Sequence, residues 1–370
     1  MLDEHHIVLL CREILSIAIH KNTTDIHIEP GSQSTQIRFR IDGVLVLHRK
    51  INITWHDHLI AHIKVQASLD IAEKRLPQDG RFSFQINAQQ ACPVDCRVST
   101  IPTLNGEKLV LRILQKINHH LKIKNLGFNK HQLQLVSRAI ENPQGLILVT
   151  GPTGSGKTMT LYSCLAQLND GSRNISSVED PVEIKLDGIN QIAINEKAGL
   201  NYSISLRSLL RQDPDVLLIG EIRDSETAKI ALQASQTGHL VFASLHTNDA
   251  ISAISRMIHL GCEKDLLMNC LLLITAQRLL RKICTTCHGQ SKICSACDQS
   301  GYKGRVAVHE VLAFDQRLSN QIRQSNEPIN LYEIARNSGM TTLAENTQEL
   351  IKLNITNLAE AQKRIGELCV

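Results

Sequence analysis

One run constrains this chain more than any other: Gly151, Pro152, Thr153, Gly154, Ser155, Gly156, Lys157 and Thr158. It fills every fixed position of G-x-x-x-x-G-K-[ST], a pattern that belongs between a buried strand and a helix. The glycines allow a turn tight enough for backbone N–H groups to surround the β- and γ-phosphates. Lys157 adds a compact positive charge, and the Thr158 hydroxyl is placed to ligate magnesium. The flanks agree: residues 146–150 (LILVT) are continuously apolar, and 161–168 read as a helix that would aim its N-terminus at the anion. The motif predicts a nucleoside triphosphate site on an α/β fold.

The rest of the chain supports that fold. Residues 216–219 (VLLI) and 240–244 (LVFAS) are short apolar runs of the kind that form fully buried parallel strands, with a helical stretch at 225–236 between them. Such alternation predicts a parallel sheet with right-handed crossovers. The first part reads differently. Residues 9–20 and 55–72 have helical spacing, while 35–40, 44–48, 81–86, 94–99 and 108–114 read as strands, with Asp42 and Gly43 as a hairpin turn. At 370 residues and 41.2 kDa the chain is long enough for about two domains. We place a smaller α+β domain at 1–116, a linker at 117–128 (INHHLKIKNLGF) and the α/β domain that carries the phosphate loop at 129–370.

Composition excludes several classes. Lys+Arg 40 against Asp+Glu 36 gives a net charge of +4, and aromatic residues are 3%, so neither a basic footprint nor base-stacking platforms point to nucleic acid. No run approaches ~18 consecutive apolar residues, which argues against a membrane span. The opening MLDEHHIVLL carries acids where a signal peptide carries Lys or Arg, so a cytosolic location is expected. Of eleven cysteines, Cys11, Cys92, Cys96, Cys164, Cys262, Cys270 and Cys369 are scattered and read as small buried hydrophobes.

Two acidic segments follow the phosphate loop. Val178-Glu179-Asp180-Pro181-Val182-Glu183 offers carboxylates to position a water and organise magnesium, although Glu-Asp-Pro is equally a strand-to-turn signal. Asp215-Val-Leu-Leu-Ile-Gly220-Glu221 resembles a second NTPase motif with Gly220 in the usual Asp position and Glu221 as the acid. Arg207, Arg211 and Arg223 flank it, as charge stabilisers for a γ-phosphate or as surface ion-pair partners. His239 and His246 bracket the 240–244 strand and read as nucleotide sensors or as satisfied core histidines.

Taken together, these motifs resemble the secretion ATPase family that drives type II secretion and type IV pilus assembly. The likeness runs from Thr24-Asp25-Ile26-His27-Ile28-Glu29-Pro30, Arg38, Arg40, Asp42 and Gly43 through Arg75 to Arg81 and Arg97 to Lys108. It continues through the phosphate loop, both acidic segments, the histidine box and paired cysteines. The resemblance implies a hexameric RecA-like motor with an N-terminal PAS-like domain. In it Glu183 is the catalytic glutamate, Glu221 the second-motif acid, and Arg97, Arg112, Arg207 and Arg211 contact nucleotide between domains or subunits. Met159 stands where the family often has a hydroxyl residue, and the chain opens where many assembly ATPases carry an extra N-terminal docking domain.

Cys284, Cys287, Cys294 and Cys297 form two C-x-x-C knuckles, spacing that suits a closed structural zinc site better than a disulfide, free thiols or an iron–sulfur site. We assign 281–305 to this insertion and 306–370 to a C-terminal helical part. The expectation is a cytoplasmic homo-hexameric ATPase, using ATP, Mg2+ and Zn2+. It would sit at the cytoplasmic face of the bacterial inner membrane and assemble pilins or pseudopilins on a polytopic platform protein. The alternatives are a pilus retraction motor, whose relatives generally lack the quartet, and a DNA-processing RecA-like ATPase.

Overall fold

Strict alternation shapes the first unit, Met1–Ile117. Along its last two strands Cys96, Val98, Leu111 and Ile113 are buried, while Arg97 and Arg112 between them reach the other face. Period-two patterning of this kind gives a sheet with one covered face. The computed structural model describes residues 4–85, 93–114, 121–290, 293–324 and 328–366, so Cys92, Cys369 and the first part of the expected linker lie outside it. The unit comprises α1 (Glu4–His20), β1 (Asp25–Pro30), β2 (Ser34–Ile41), β3 (Val44–Asn52), α2 (His56–Gln66), β4 (Gln78–Phe84), β5 (Val94–Thr103) and β6 (Gly106–Leu114). Its sheet runs β3-β2-β1-β6-β5-β4, antiparallel at every pairing. Ile14 and Leu15 of α1 and Leu59 and Ile63 of α2 pack on Ile26, Ile28, Leu109 and Leu111. Asp42 and Gly43 both take left-handed φ, 48° and 80°, as a two-residue hairpin requires. The second helix is shorter than its spacing suggested. It ends at Gln66 because Ser68 turns to positive φ (56°) and Lys64 folds inward to an ion pair with Glu107 at 2.6 Å.

The second unit, Asn118–Val370, is built on α3 (Lys130–Ile140), β7 (Gly145–Thr150), α4 (Lys157–Leu168), β8 (Ile175–Glu179), β9 (Asn190–Ala193), α5 (Tyr202–Leu209), β10 (Val216–Ile219), α6 (Ser225–Gln236), β11 (Leu240–Leu245), α7 (Ala250–His259), α8 (Lys264–Cys270), β12 (Leu271–Ile283) and β13 (Tyr302–Ala313). Helices α9 (Gln316–Gln324), α10 (Pro328–Asn337), α11 (Leu343–Lys352) and α12 (Leu358–Ile365) follow. The sheet order is β13-β12-β7-β11-β10-β8-β9. All neighbours are parallel except β13, which returns antiparallel along β12. Both faces are covered: Leu161, Leu165 and Phe242 belong to one core layer, Ala231, Val241 and Ile254 to the other.

Two expectations change here. Residues 306–313 are not helical; they form the greater part of β13, whose β-branched and apolar side chains pair with β12. Residues 121–128 are not a free linker either. Ile123 is buried, Phe128 stacks on His309 at 3.8 Å, and His309 Nε2–H donates to the Leu126 carbonyl at 2.8 Å. Burial lowers the His309 pKa to about 4, keeping the ring neutral in this contact. Of the scattered cysteines, Cys11, Cys96, Cys164, Cys262 and Cys270 are buried free thiols, as read from the sequence. No helix among the described residues is long and apolar enough to cross a membrane.

Candidate functional site

Parallel strands bring their carboxyl ends to one edge, and the loops leaving that edge form the natural ligand crevice of an α/β sheet. Here β7 runs into the phosphate loop, β11 into His246, β10 into Glu221 and β8 into the acidic box. The loop ends in Gly156 at φ 92°, which caps α4 in a conformation a side chain resists. Gly151 is tighter still: a Cβ there would lie 2.6 Å from the Gln277 carbonyl. Thr150 closes the floor, its hydroxyl accepting the Thr247 N–H at 2.8 Å and so tying the end of β7 to the chain after β11.

Lys157 opens α4 and is nearly buried, its ammonium donating to the loop's own carbonyls, Gly151 at 2.7 Å and Pro152 at 3.3 Å. Burial pulls its pKa down to about 8, against the pull of Glu221 upward. Thr158 and Met159 follow, both half-buried, on the first turn of α4. Glu221 receives Arg223 at 2.8 Å and His246 Nε2 at 3.2 Å. Burial alone would favour its neutral form; Arg223, His246 and Lys157 outweigh it and hold the pKa below the usual range, so the acid is ionised. Gly220 has its own reason: a Cβ would meet Tyr202 Oη at 3.0 Å and the Val178 carbonyl at 3.1 Å. A side chain there would be crowded against both, and the acid is delivered one residue later.

In the acidic box, Glu179 is buried and fully engaged. It accepts from Ser177 Oγ at 2.7 Å, from Gln191 Nε2 at 3.2 Å and from the Tyr162 hydroxyl. The same Tyr162 oxygen accepts the Glu183 N–H at 3.3 Å, so a buried tyrosine of α4 ties the segment bearing Glu183 to the helix bearing Lys157. The role of Tyr162 was missed; one tyrosine in a helical run gives no signal.

Other sequence-derived residues lie apart. His239 stands at the amino end of β11, bonded to the Ala234 carbonyl at 3.0 Å, so the whole strand separates it from the loop edge. Arg207 is exposed and paired with Glu226 at 2.8 Å, and the exposed Arg211 donates to the Arg207 carbonyl at 2.9 Å. Arg97 and Arg112 belong to the first unit, where strand register lines up Arg81, Arg97, Arg112, Asp25 and Arg40 across β4, β5, β6, β1 and β2. Asp25 takes Arg112 at 2.9 Å, and Arg81, Arg97, Arg112 and Asp25 border a concavity of about 480 Å³.

The cysteines converge at the far end of the β12–β13 ribbon. All four Sγ atoms lie within 4.8 Å of one another, with Cys284 to Cys294 at 3.9 Å and Cys287 to Cys297 at 3.7 Å. A tetrahedron with metal–sulfur bonds of about 2.3 Å has edges of about 3.8 Å, so the donor set fits one four-coordinate ion and is too open for disulfides.

The comparisons with known proteins extend well beyond these motifs. Residues 1–363 match the family described as type II/IV secretion system protein. Type II secretion system protein HxcR of Pseudomonas aeruginosa is 44% identical, over 97% of this chain and 77% of its own length. Type IV pilus assembly ATPase PilB of Myxococcus xanthus is 42% identical, over 92% of this chain and 64% of its own. The structure of the pilus retraction motor PilT with bound ADP superposes with a TM-score of 0.67 at 27% identity, covering 95% of this chain and 96% of that one. A shared phosphate loop alone does not produce agreement through both units: this chain belongs to the type II/IV secretion system protein family, and it is an ATPase whose second unit has the RecA-like fold.

Proposed function

We propose that this ATPase works as a homo-hexamer at the cytoplasmic face of a bacterial inner membrane, coupling ATP hydrolysis to pilin or pseudopilin assembly on a membrane platform protein. The observation that carries this reading is 42% identity to a pilus assembly ATPase, against 27% to a retraction motor. Lys157 and the loop amides hold the phosphates, and the Thr158 hydroxyl and ionised Glu221 would hold magnesium, Glu221 through its waters. Magnesium, bound with ATP, neutralises charge on the β- and γ-phosphates. Glu183 positions the attacking water and accepts its proton, while Glu179, already engaged by three donors, keeps a structural role. His246, bonded to Glu221, is the histidine placed to respond to the γ-phosphate; His239, at the other end of β11, lies outside this cluster.

Arg97, Arg112, Arg207 and Arg211 are proposed to compensate γ-phosphate charge only in the assembled ring. Their supply in trans or by closure is worth on the order of 10³–10⁵ in other phosphoryl-transfer enzymes, and a smaller factor is expected where four share the task. Specific activity should therefore rise with protein concentration as the ring forms, and Arg97→Ala and Arg211→Ala should each remove part of that rise. Activity that is flat through assembly, or that survives both substitutions, overturns the shared-site reading.

The thiolate quartet is assigned to zinc in a structural role, since four protein ligands leave no open position. Protein purified without chelator should carry about one zinc per chain. Cys294→Ser should release it and lower the melting temperature, because metal-binding free energy is also folding free energy. Metal analysis by plasma mass spectrometry decides the point, and well-folded, active protein without zinc rejects the assignment.

A further inference from the structure

Gln277 is almost completely buried in the middle of β12, where an apolar side chain would ordinarily sit. Parallel pairing of β12 with β7 ends at Ala276 opposite Thr150, so Gln277 is the next residue along as the phosphate loop departs. Its side-chain amide is engaged at both ends: Nε2 donates to the Ser155 carbonyl at 2.7 Å, and Oε1 accepts the Thr160 hydroxyl at 2.8 Å. Two loop glycines lie against it as well. A Cβ on Gly151 would meet its carbonyl at 2.6 Å, and one on Gly156 would meet Nε2 at 3.1 Å.

The peptide geometry gives this contact a consequence. In a trans peptide the carbonyl of one residue and the N–H of the next point in opposite directions. A Ser155 carbonyl held toward β12 therefore turns the Gly156 N–H away from β12. The Ser155 carbonyl, which can only accept, settles which end of the Gln277 amide faces it, since with the amide flipped two oxygens would meet; the Thr160 hydroxyl anchors the other end.

We propose that Gln277 is a positioning residue of the nucleotide site, whose amide, anchored by Thr160, sets the Ser155–Gly156 peptide so that its N–H faces the diphosphate. The proposal rests on the phosphate loop binding nucleotide and says nothing about the attacking water. Since ATP and ADP share the diphosphate, both should be affected alike.

The test measures MgADP affinity by isothermal titration calorimetry, and ATP turnover, for the parent, Gln277→Leu, Thr160→Val, the double variant and Lys157→Ala. Losing an orienting hydrogen bond at an anion site should weaken MgADP by about 10- to 100-fold in Gln277→Leu. KM for ATP should rise in parallel while kcat at saturation stays within about threefold. Thr160→Val should cost a few-fold alone and nothing further in the Gln277→Leu background, because the two act through one amide. Packing alone would instead lower the melting temperature of nucleotide-free protein and leave the two effects additive. Folded Gln277→Leu that binds MgADP like the parent overturns the proposal. If Gln277→Leu does not fold, Thr160→Val decides it, and parent-like affinity there is equally fatal. A parent that, like Lys157→Ala, binds no MgADP defeats the nucleotide reading itself, a result distinct from either.

Discussion

Lys157→Ala should abolish measurable nucleotide binding. The ammonium is nearly buried, donates to two loop carbonyls and is the only side-chain cation within the loop itself. Removing one member of a desolvated, hydrogen-bonded charge pair costs about 2–5 kcal/mol, or roughly 30-fold to several thousand-fold in affinity. Titration calorimetry with MgADP measures the loss, and affinity within threefold of the parent would take Lys157 out of the site. A pH series adds a signature. Burial holds the free-state pKa at about 8, and phosphates bind the charged form, so binding raises that pKa and takes up a proton at higher pH. Affinity should be level below pH 7 and about tenfold weaker at pH 9 than at pH 7.

Glu183→Gln is the second large effect, and it should separate binding from turnover. The amide keeps the shape and the backbone N–H bonded to Tyr162, so the loop that carries it remains in place. An amide accepts no proton from an attacking water, and losing a positioned base typically costs 10²–10⁴ in rate. MgADP affinity should stay within about threefold of the parent while kcat falls by about that factor. Parent-like hydrolysis in Glu183→Gln would move the catalytic role elsewhere in the box. Glu179→Gln is the informative companion. Its carboxylate accepts three hydrogen bonds in the core, so that change should lower thermal stability as well as rate.

The legible parts of this fold share one physical property: a regular pattern of burial along their length, continuous in a buried strand and at helical spacing in an amphipathic helix. Residues 216–219 and 225–236 were readable to their ends, because VLLI is apolar throughout and Asp224 caps α6 through its side chain. Less uniform elements were harder to see. In β8 the buried Ser176 and Ser177 break the apolar run, and their hydroxyls find Asn174 and Glu179 only once the fold exists. Along β12 the buried Thr275, Gln277 and Arg278 look like an exposed face, yet Gln277 serves the loop and Arg278 donates to the Asn248 carbonyl at 2.8 Å. The sequence already pointed to the phosphate loop, Glu221 and His246, which the fold brings to one edge of the sheet, because their motifs are local in sequence. Tyr162 and Gln277 were not legible, since each acts through a partner far along the chain.

The support under the phosphate loop also imposes a timetable on biosynthesis. Ser155 and the Gln277 that holds its carbonyl are 122 residues apart. At ribosomal rates of about 5–20 residues per second, the loop leaves the peptidyl-transferase centre roughly 6–24 seconds before its brace. During that interval the nascent chain holds a complete phosphate-binding motif on an unfinished sheet. Nucleotide captured early would meet a loop without its seat on β12, so firm retention of ATP becomes a late event in the life of each newly made chain.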